Sequence, residues 1–349
     1  MNPIERGLRR IDATQQRHKP AAFVVAVVKK YGDDNGGVLA ASLAHSAFVS
    51  VFPLLLILVT VLGLIASADP AVRAEVLKAV GHQFPLIGTK LTGNVQALHR
   101  SSVIGLIVGL AGVLWGGTGL AQSGLFTMEQ VWNLPGPARP GYFPRLGRAV
   151  TFLGVLAVGV VATTLLTALN AFSHQGLAVV AGAEALAAVV NVGLYLASFR
   201  VLTPKCVPGR SLVPGAVAGG IGWTVLQAIG GVVVNHFRNT HSVYGYFGTV
   251  LGLVAWLYLA VELTVYAAEI NVVLARRLWP RSIIQPPLTE ADRSSLALQA
   301  LQNQRREEQR VTVWFSDRPS GQPPSPGTPR TPAEVSPPAG RDRRPSGTR

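Results

Sequence analysis

An all-α membrane bundle is the fold class this sequence predicts, and three observations predict it. Of 349 residues, 49% are hydrophobic and 14% charged, with a mean hydropathy of +0.35, whereas a soluble domain carries about 25% charged residues. The apolar residues gather into six long runs, at about 38–66, 102–122, 150–170, 183–203, 212–235 and 248–275. About 20 residues of helix span about 30 Å of hydrocarbon, so each run reads as a transmembrane helix. The charges keep out of these runs: of 31 Lys and Arg, seven lie in 1–37 and thirteen in 276–349, and the other eleven fall almost wholly between runs. An ordinary soluble enzyme is excluded on this composition. The net charge of +14 reads as membrane topology, with no nucleic-acid partner expected. One Cys excludes an internal disulfide framework and a thiolate metal cluster.

The N-terminal segment, 1–37, holds an eight-residue apolar stretch, Ala21 to Val28, followed by Lys29-Lys30 and the turn Gly32–Gly37. A cleaved signal places its positive charge first and a small-residue site after, so 15–31 is expected to be a short interfacial helix with basic flanks. The transmembrane domain follows at 38–275. Its first helix is long, with Pro53 in the middle as an expected kink. Residues 70–100 read as an outer amphipathic hairpin broken at Phe84-Pro85. Gly105/Gly109, Gly112/Gly116, Gly215/Gly219 and Gly248/Gly252 are spaced for close helix approach, either inside one bundle or at a homo-oligomer seam.

The tail, 276–349, is basic and Pro-rich, with eleven of the 24 prolines after residue 281, and is expected to be largely disordered. A polar helix is expected at 293–310, started by Thr289 and Asp292. Ser325-Pro326, Thr328-Pro329, Thr331-Pro332 and Ser336-Pro337 could serve as modification sites or adaptor ligands, and the tail as a contact for envelope proteins. With both termini inside, the inner segments carry 26 Lys and Arg and the outer ones five. The positive-inside rule therefore predicts N-in and C-in.

The candidate site lies on the last helix. Glu262 and Glu269 are seven residues apart, two helical turns, and share a face with Tyr258 and Tyr266. A carboxylate inside a membrane is paired, protonated or beside a wet cavity, so this stripe is either a polar transport pathway or a set of structural hydrogen-bonding groups. His45 lies at similar depth on the first helix, which permits a His45–Glu269 contact. Glu129 and Glu184 read as interfacial. Two inner loops, Arg139, Arg145, Arg148 and Arg200, Lys205, Arg210, suit anionic lipid headgroups. No phosphate loop, HExxH or nucleophile elbow is present, so no cofactor, metal or enzymatic activity is expected.

Several stretches together resemble the YihY/BrkB family of bacterial inner-membrane proteins. These are Ala41-Ser42-Leu43-Ala44 with Ser50 to Leu56, Met128 to Asn133, Leu212 to Ala216, Ser242 to Gly245, Trp256 to Leu259, and Ala268-Glu269-Ile270-Asn271. The resemblance covers about 20–280 and implies six transmembrane helices and a bacterial cytoplasmic-membrane location. It places Glu269 and Asn271 on the family's acidic C-terminal motif and leaves Glu262 outside it. His45-Ser46 stands where relatives often carry aromatic residues. The family has carried a ribonuclease BN label now regarded as mistaken, and its members are linked to serum resistance and envelope lipid export. A transporter or lipid translocator is the leading reading, and a non-transporting envelope scaffold is the alternative. A ribonuclease is disfavoured, because no positioned His, Lys or carboxylate cluster stands in the soluble segments.

Overall fold

The computed structural model describes residues 3–66, 103–172, 177–237 and 245–315. Nine α-helices make up its main elements: α1 Pro3–Arg17, α2 Lys19–Asp33, α3 Gly36–Ala66, α4 Val103–Val131, α5 Tyr142–Phe172, α6 Leu177–Leu202, α7 Val213–Phe237, α8 Gly245–Arg276 and α9 Glu290–Gln302. No strand occurs among the described residues. Five helices, α3 and α5 to α8, hold windows long and apolar enough to cross a membrane. The sixth expected run, 102–122, is helical as α4, but its first side chains are not described and the count of five leaves it out.

The long helices pack in chain order and close on themselves: α3 on α4, α4 on α5, α5 on α6, α6 on α7, α7 on α8, and α8 back on α3. Their outward sides stay apolar. Val158, Val161, Val189, Ile221, Val225, Ile229, Leu251 and Leu259 are all exposed. An apolar surface of this extent is what lipid-facing helices present and what a soluble surface avoids.

Glycine sets the closest approaches. A Cβ on Gly215 would sit 2.0 Å from the Ala267 carbonyl of α8, and one on Gly220 would meet the Val192 backbone of α6 at 2.6 Å. On α4, Gly112 takes the Pro53 ring, and Gly116 lies against Ser50, whose hydroxyl donates to the Gly116 carbonyl at 2.8 Å. Among the described residues, Gly112/Gly116 and Gly215/Gly219 therefore serve packing inside the bundle. The helix α3 continues past Pro53, which lies inside it.

The described core concentrates at one end of the bundle, which we call the terminal face. Leu43 and Ala44 at the start of α3, Leu125 and Met128 near the end of α4, and Phe152 at the start of α5 meet Phe199 of α6, Ala216 of α7 and Val265 and Val272 of α8. This burial explains why α4 runs past the expected boundary of 122. Gln122, Ser123 and Thr127 lower its hydropathy, but Ala121, Leu125, Met128 and Val131 keep one face in the core. It ends where Asn133 takes a left-handed turn (φ 47°) and the Leu134 N–H reaches back to the Glu129 carbonyl at 3.0 Å.

The described residues of both terminal segments lie on this face. In place of one interfacial helix at 15–31 there are two, α1 and α2, with Pro20 starting α2, and α2 packs along α8. The tail departs from its expectation over 277–315, which fold back onto α1, α2 and α4. The Gln15 side chain donates to the Arg281 carbonyl at 2.8 Å, the Ile283 N–H to Asp12 at 2.9 Å, and the Gly136 N–H to the Gln304 carbonyl at 2.7 Å. The expected polar helix is α9. Thr289 caps it by a reciprocal box with Asp292, both backbone bonds measuring 3.1 Å. The 70–100 hairpin and the Ser-Pro and Thr-Pro sites lie outside the described residues.

Candidate functional site

The stripe on α8 faces α2. Tyr31 is stacked on Tyr266, with ring centroids 4.1 Å apart and planes at 8°, and its hydroxyl donates to Glu262 Oε1 at 3.3 Å. The Tyr258 hydroxyl lies beside the same group, near Gly37. Burial and then the neighbouring Glu262 carboxylate push the Tyr31 hydroxyl up, which keeps it a donor. Glu262, Tyr258 and Tyr266 therefore do share one face, gathered around a residue of the N-terminal segment.

Two turns further on, Glu269 is fully buried, and its cation is Lys30, Nζ to Oε2 3.6 Å. Lys30 is equally buried. It ion-pairs with Asp34 one turn along α2 and donates to the Val131 carbonyl at 3.1 Å. Neither oxygen of Glu269 accepts a hydrogen bond, since 3.6 Å is too long for one. Charges taken from water are costly unless paired and hydrogen-bonded, so Glu269 is held in a deficit. Asp34 also lines a polar cleft of about 720 Å³ with Asp33, Gln130, Arg139, Gln299 and Gln302. Asn133 donates to Asp34 and to Gln302, both at 3.0 Å, across the floor of that region. A chain of polar groups thus runs from an open cleft through Asp34 and Lys30 to a buried carboxylate.

The structure corrects the sequence-based expectation for His45. It is exposed on α3, on a stripe with Val38, Ser42, Val49 and Phe52, while Ala40, Leu43 and Ala44 turn inward. One residue of helix rotates the side chain about 100°, which takes His45 away from the face that Ala44 occupies. The contact to Glu269 is made by Lys30 instead. Asn271 is buried, and its Oδ1 accepts the Gly215 N–H at 2.6 Å. That N–H belongs to the first turn of α7, where no intrahelical acceptor exists, so Asn271 ties the start of α7 to α8.

The basic loops divide. Glu129, read as interfacial, is buried within the protein and is taken by Arg145 at 3.1 Å and Arg139 at 4.0 Å; Arg139 also donates to the Leu134 carbonyl at 3.3 Å. Arg148, Arg200 and Lys205 line a separate small cleft, and Arg210 is exposed in the turn Gly209–Leu212. Glu184 is exposed on α6. Sequence reasoning missed Lys30, Tyr31, Asp34 and Asn133. The available signal was the Lys30/Asp34 pair, four residues apart in a segment otherwise read as a solvated flank.

A sequence model described as Virulence factor BrkB matches residues 27–289. That range holds Lys30, the whole α8 stripe and both basic loops. The ribonuclease-like protein YfkH of Bacillus subtilis (strain 168) is 22% identical over 271 residues, covering 73% of this chain and 96% of YfkH. A UPF0761 membrane protein of Pseudomonas paraeruginosa (strain PA7) is 24% identical over 284 residues, 76% of this chain and 66% of that protein. A UPF0761 membrane protein of Pseudomonas aeruginosa (strain LESB58) is 24% identical over 277 residues, 74% and 64% respectively. The chain therefore spans almost all of YfkH but just under two thirds of the Pseudomonas proteins. No solved structure matches. With its apolar helices and these relatives, this is a membrane protein, and the chain belongs to the Virulence factor BrkB family.

Proposed function

We propose that the chain is a transporter or lipid translocator of the bacterial cytoplasmic membrane, with its terminal face inside the cell. The observation that carries this reading is the Lys30–Glu269 pair, buried between α2 and α8 and joined through Asp34 to an open polar cleft. A purely structural pair is saturated with hydrogen bonds. Glu269 has the 3.6 Å contact to Lys30 and the neighbouring Asp34 but no close hydrogen bond, which leaves it able to take up a proton or a cationic or hydroxyl group. A proton gradient acting at Glu269 or Glu262, or a downhill lipid gradient, would supply the driving force. The inside assignment rests on the excess of Lys and Arg at this face. The reading is non-enzymatic, because the buried cluster pairs charges and presents no nucleophile with a base.

The test is movement of a headgroup-labelled lipid in proteoliposomes, with and without a pH gradient, for wild type, Glu262→Gln/Glu269→Gln and Lys30→Met. Movement that wild type shows and the variants lose supports the reading. Movement unchanged in rate and pH dependence in the double variant sinks it. The scaffold reading draws on one observation, the basic, Pro-rich stretch beyond residue 315 as a contact for partner proteins. Deleting residues beyond 315 separates the two, since a translocator keeps its activity and a scaffold loses partners held by the tail.

A further inference from the structure

The cleft between the start of α5 and the end of α6 is a second site, apart from the α8 stripe. It has a volume of about 190 Å³ and is lined by Arg148 and Thr151 of α5, Arg200 and Val201 of α6, and Thr203 and Lys205 just after α6. Three cations converge there and no carboxylate is among the lining residues. Glu129, which Arg148 also faces, is already taken by Arg145 and Arg139, so its single charge is shared among three arginines.

Two buried polar atoms at the cleft lack partners. Thr203 is 1% exposed, and its hydroxyl has no hydrogen-bond partner; Arg148 Nη1 is buried with no acceptor. Buried donors without acceptors are rare and costly. Here they stand on the wall of a positively charged cavity, where a bound oxyanion would satisfy both at once. The volume is below the roughly 300–1,000 Å³ of a site for a drug-sized molecule, which suits a small tetrahedral anion.

The surroundings say how such an anion is presented. The cleft lies at the terminal end of two spanning helices. Tyr142 and Phe143, at the start of α5, are 68% and 81% exposed, as interfacial aromatics are. Beside the cleft, exposed Val150 begins an outward stripe that continues through Val158 and Val161, an apolar track leading away into the bilayer.

We infer that Arg148, Arg200, Lys205 and Thr203 form a phosphate-binding notch that takes the headgroup phosphate of an anionic phospholipid, its acyl chains lying along the outward face of α5. The notch stands independently of the translocator reading, since it is an equilibrium binding site whether or not the protein moves lipid.

Full-length protein in detergent would be tested by native mass spectrometry for retention of dioleoylphosphatidylglycerol. Dioleoylglycerol provides the same chains without phosphate, and inorganic phosphate is offered alone and as competitor. Arg200 and Lys205 are exposed, so Arg200→Gln/Lys205→Gln leaves the fold intact. Thr203→Val removes the hydroxyl without changing charge, and Arg210→Gln removes a cation outside the notch. Wild type is expected to retain the phospholipid and not the diacylglycerol. The double variant is expected to lose about tenfold or more, the scale of lost charge-assisted hydrogen bonds. Thr203→Val should lose part of the retention and Arg210→Gln none. Equal retention by wild type and the double variant overturns the notch. So does an equal loss in Arg210→Gln, which would mean diffuse attraction. Phosphate bound without phospholipid retention overturns the lipid assignment.

Discussion

Lys29 and Lys30 are neighbours in sequence and belong to two clusters built in opposite ways. The Lys29 cluster joins α1, α2, α9 and the chain after α8. Asp292 Oδ1 accepts from Arg281 Nε at 2.9 Å and from Lys29 at 3.1 Å, while Oδ2 accepts from Ser282 and Thr289. Arg281 also holds Asp33 at 2.6 Å, and Asp12 takes the Ser282 hydroxyl and the Ile283 N–H. Each oxygen of Asp292 accepts at least two hydrogen bonds. In the Lys30 cluster, Glu269 accepts none. A saturated cluster fixes geometry and has nothing left to bind; a deficient one retains capacity for a ligand or a proton. The first is a latch, and the second is where chemistry has room.

Removing Arg281 should break this contrast most severely. Arg281→Ala leaves Asp292 and Asp33 without their main cation in a dry setting, a loss of about 3–5 kcal/mol. Hydrogen exchange in α1 and α9 should rise together, and unchanged protection in both would show that the latch is not what joins them.

The Lys30 cluster should behave differently. Lys30→Met alone strands Glu269 and Asp34 and should destabilise by about 3 kcal/mol, whereas Lys30→Met with Glu269→Leu should recover part of that loss, because it removes one stranded charge while Asp34 keeps its Asn133 donor. Thermal unfolding of the four proteins of the cycle gives the coupling, expected at about 1–3 kcal/mol. A double variant that is stable yet inactive in the lipid assay would separate the cluster's use from its contribution to stability.

Acid sharpens the comparison further. Burial alone would push Asp292 and Asp12 up. The hydrogen bonds from Ser282, Thr289, Arg281 and Lys29 on the first, and from Ile283, Gln15, Gln16 and Ser282 on the second, outweigh it and hold both below the usual carboxylate range. Their stabilisation is therefore full above about pH 4, the ordinary carboxylate value, and is lost as pH falls through the lower folded-state values. Exchange in α9 should accelerate on strong acidification before that in the core of α8. Simultaneous loss in both would remove the distinction.

The smallest expected effect is at the end of α8. Arg277 sits at φ 53° with an exposed side chain, and the Leu278 N–H reaches back to the Val273 carbonyl at 3.0 Å. Arg277→Gly relieves the left-handed strain and should stabilise by about 0.5–1 kcal/mol, visible as a small rise in melting temperature.

The features legible in the sequence were local ones. Long apolar runs marked the helices, Thr289 and Asp292 marked the start of α9, and the seven-residue spacing put Glu262 and Glu269 on one face. The partner of that face was not legible. Lys30 lies in a basic flank, and Lys is seldom fully buried unless paired; its partner is 239 positions away, Glu269. His45 had comparable depth in its favour, but depth carries no azimuth, and one residue's rotation put it outside. The tail misled for a related reason. Its Pro content belongs mostly to residues beyond 315, while the short stretch 281–292 is held by residues of α1 and α2 that composition cannot associate with it.

The latch also sets an order of events during synthesis. The N-terminal helices emerge first, yet Asp12, Gln15 and Lys29 complete their partnerships in residues 281–292, and Lys30, already paired with Asp34, gains Glu269 late. A ribosome must therefore deliver every spanning helix before the first two helices can dock. Until then the Lys30 ammonium has to stay in water, on the side where the chain began. Closure of the cap thus waits on the arrival of the last membrane helix and the stretch 281–292 that follows it.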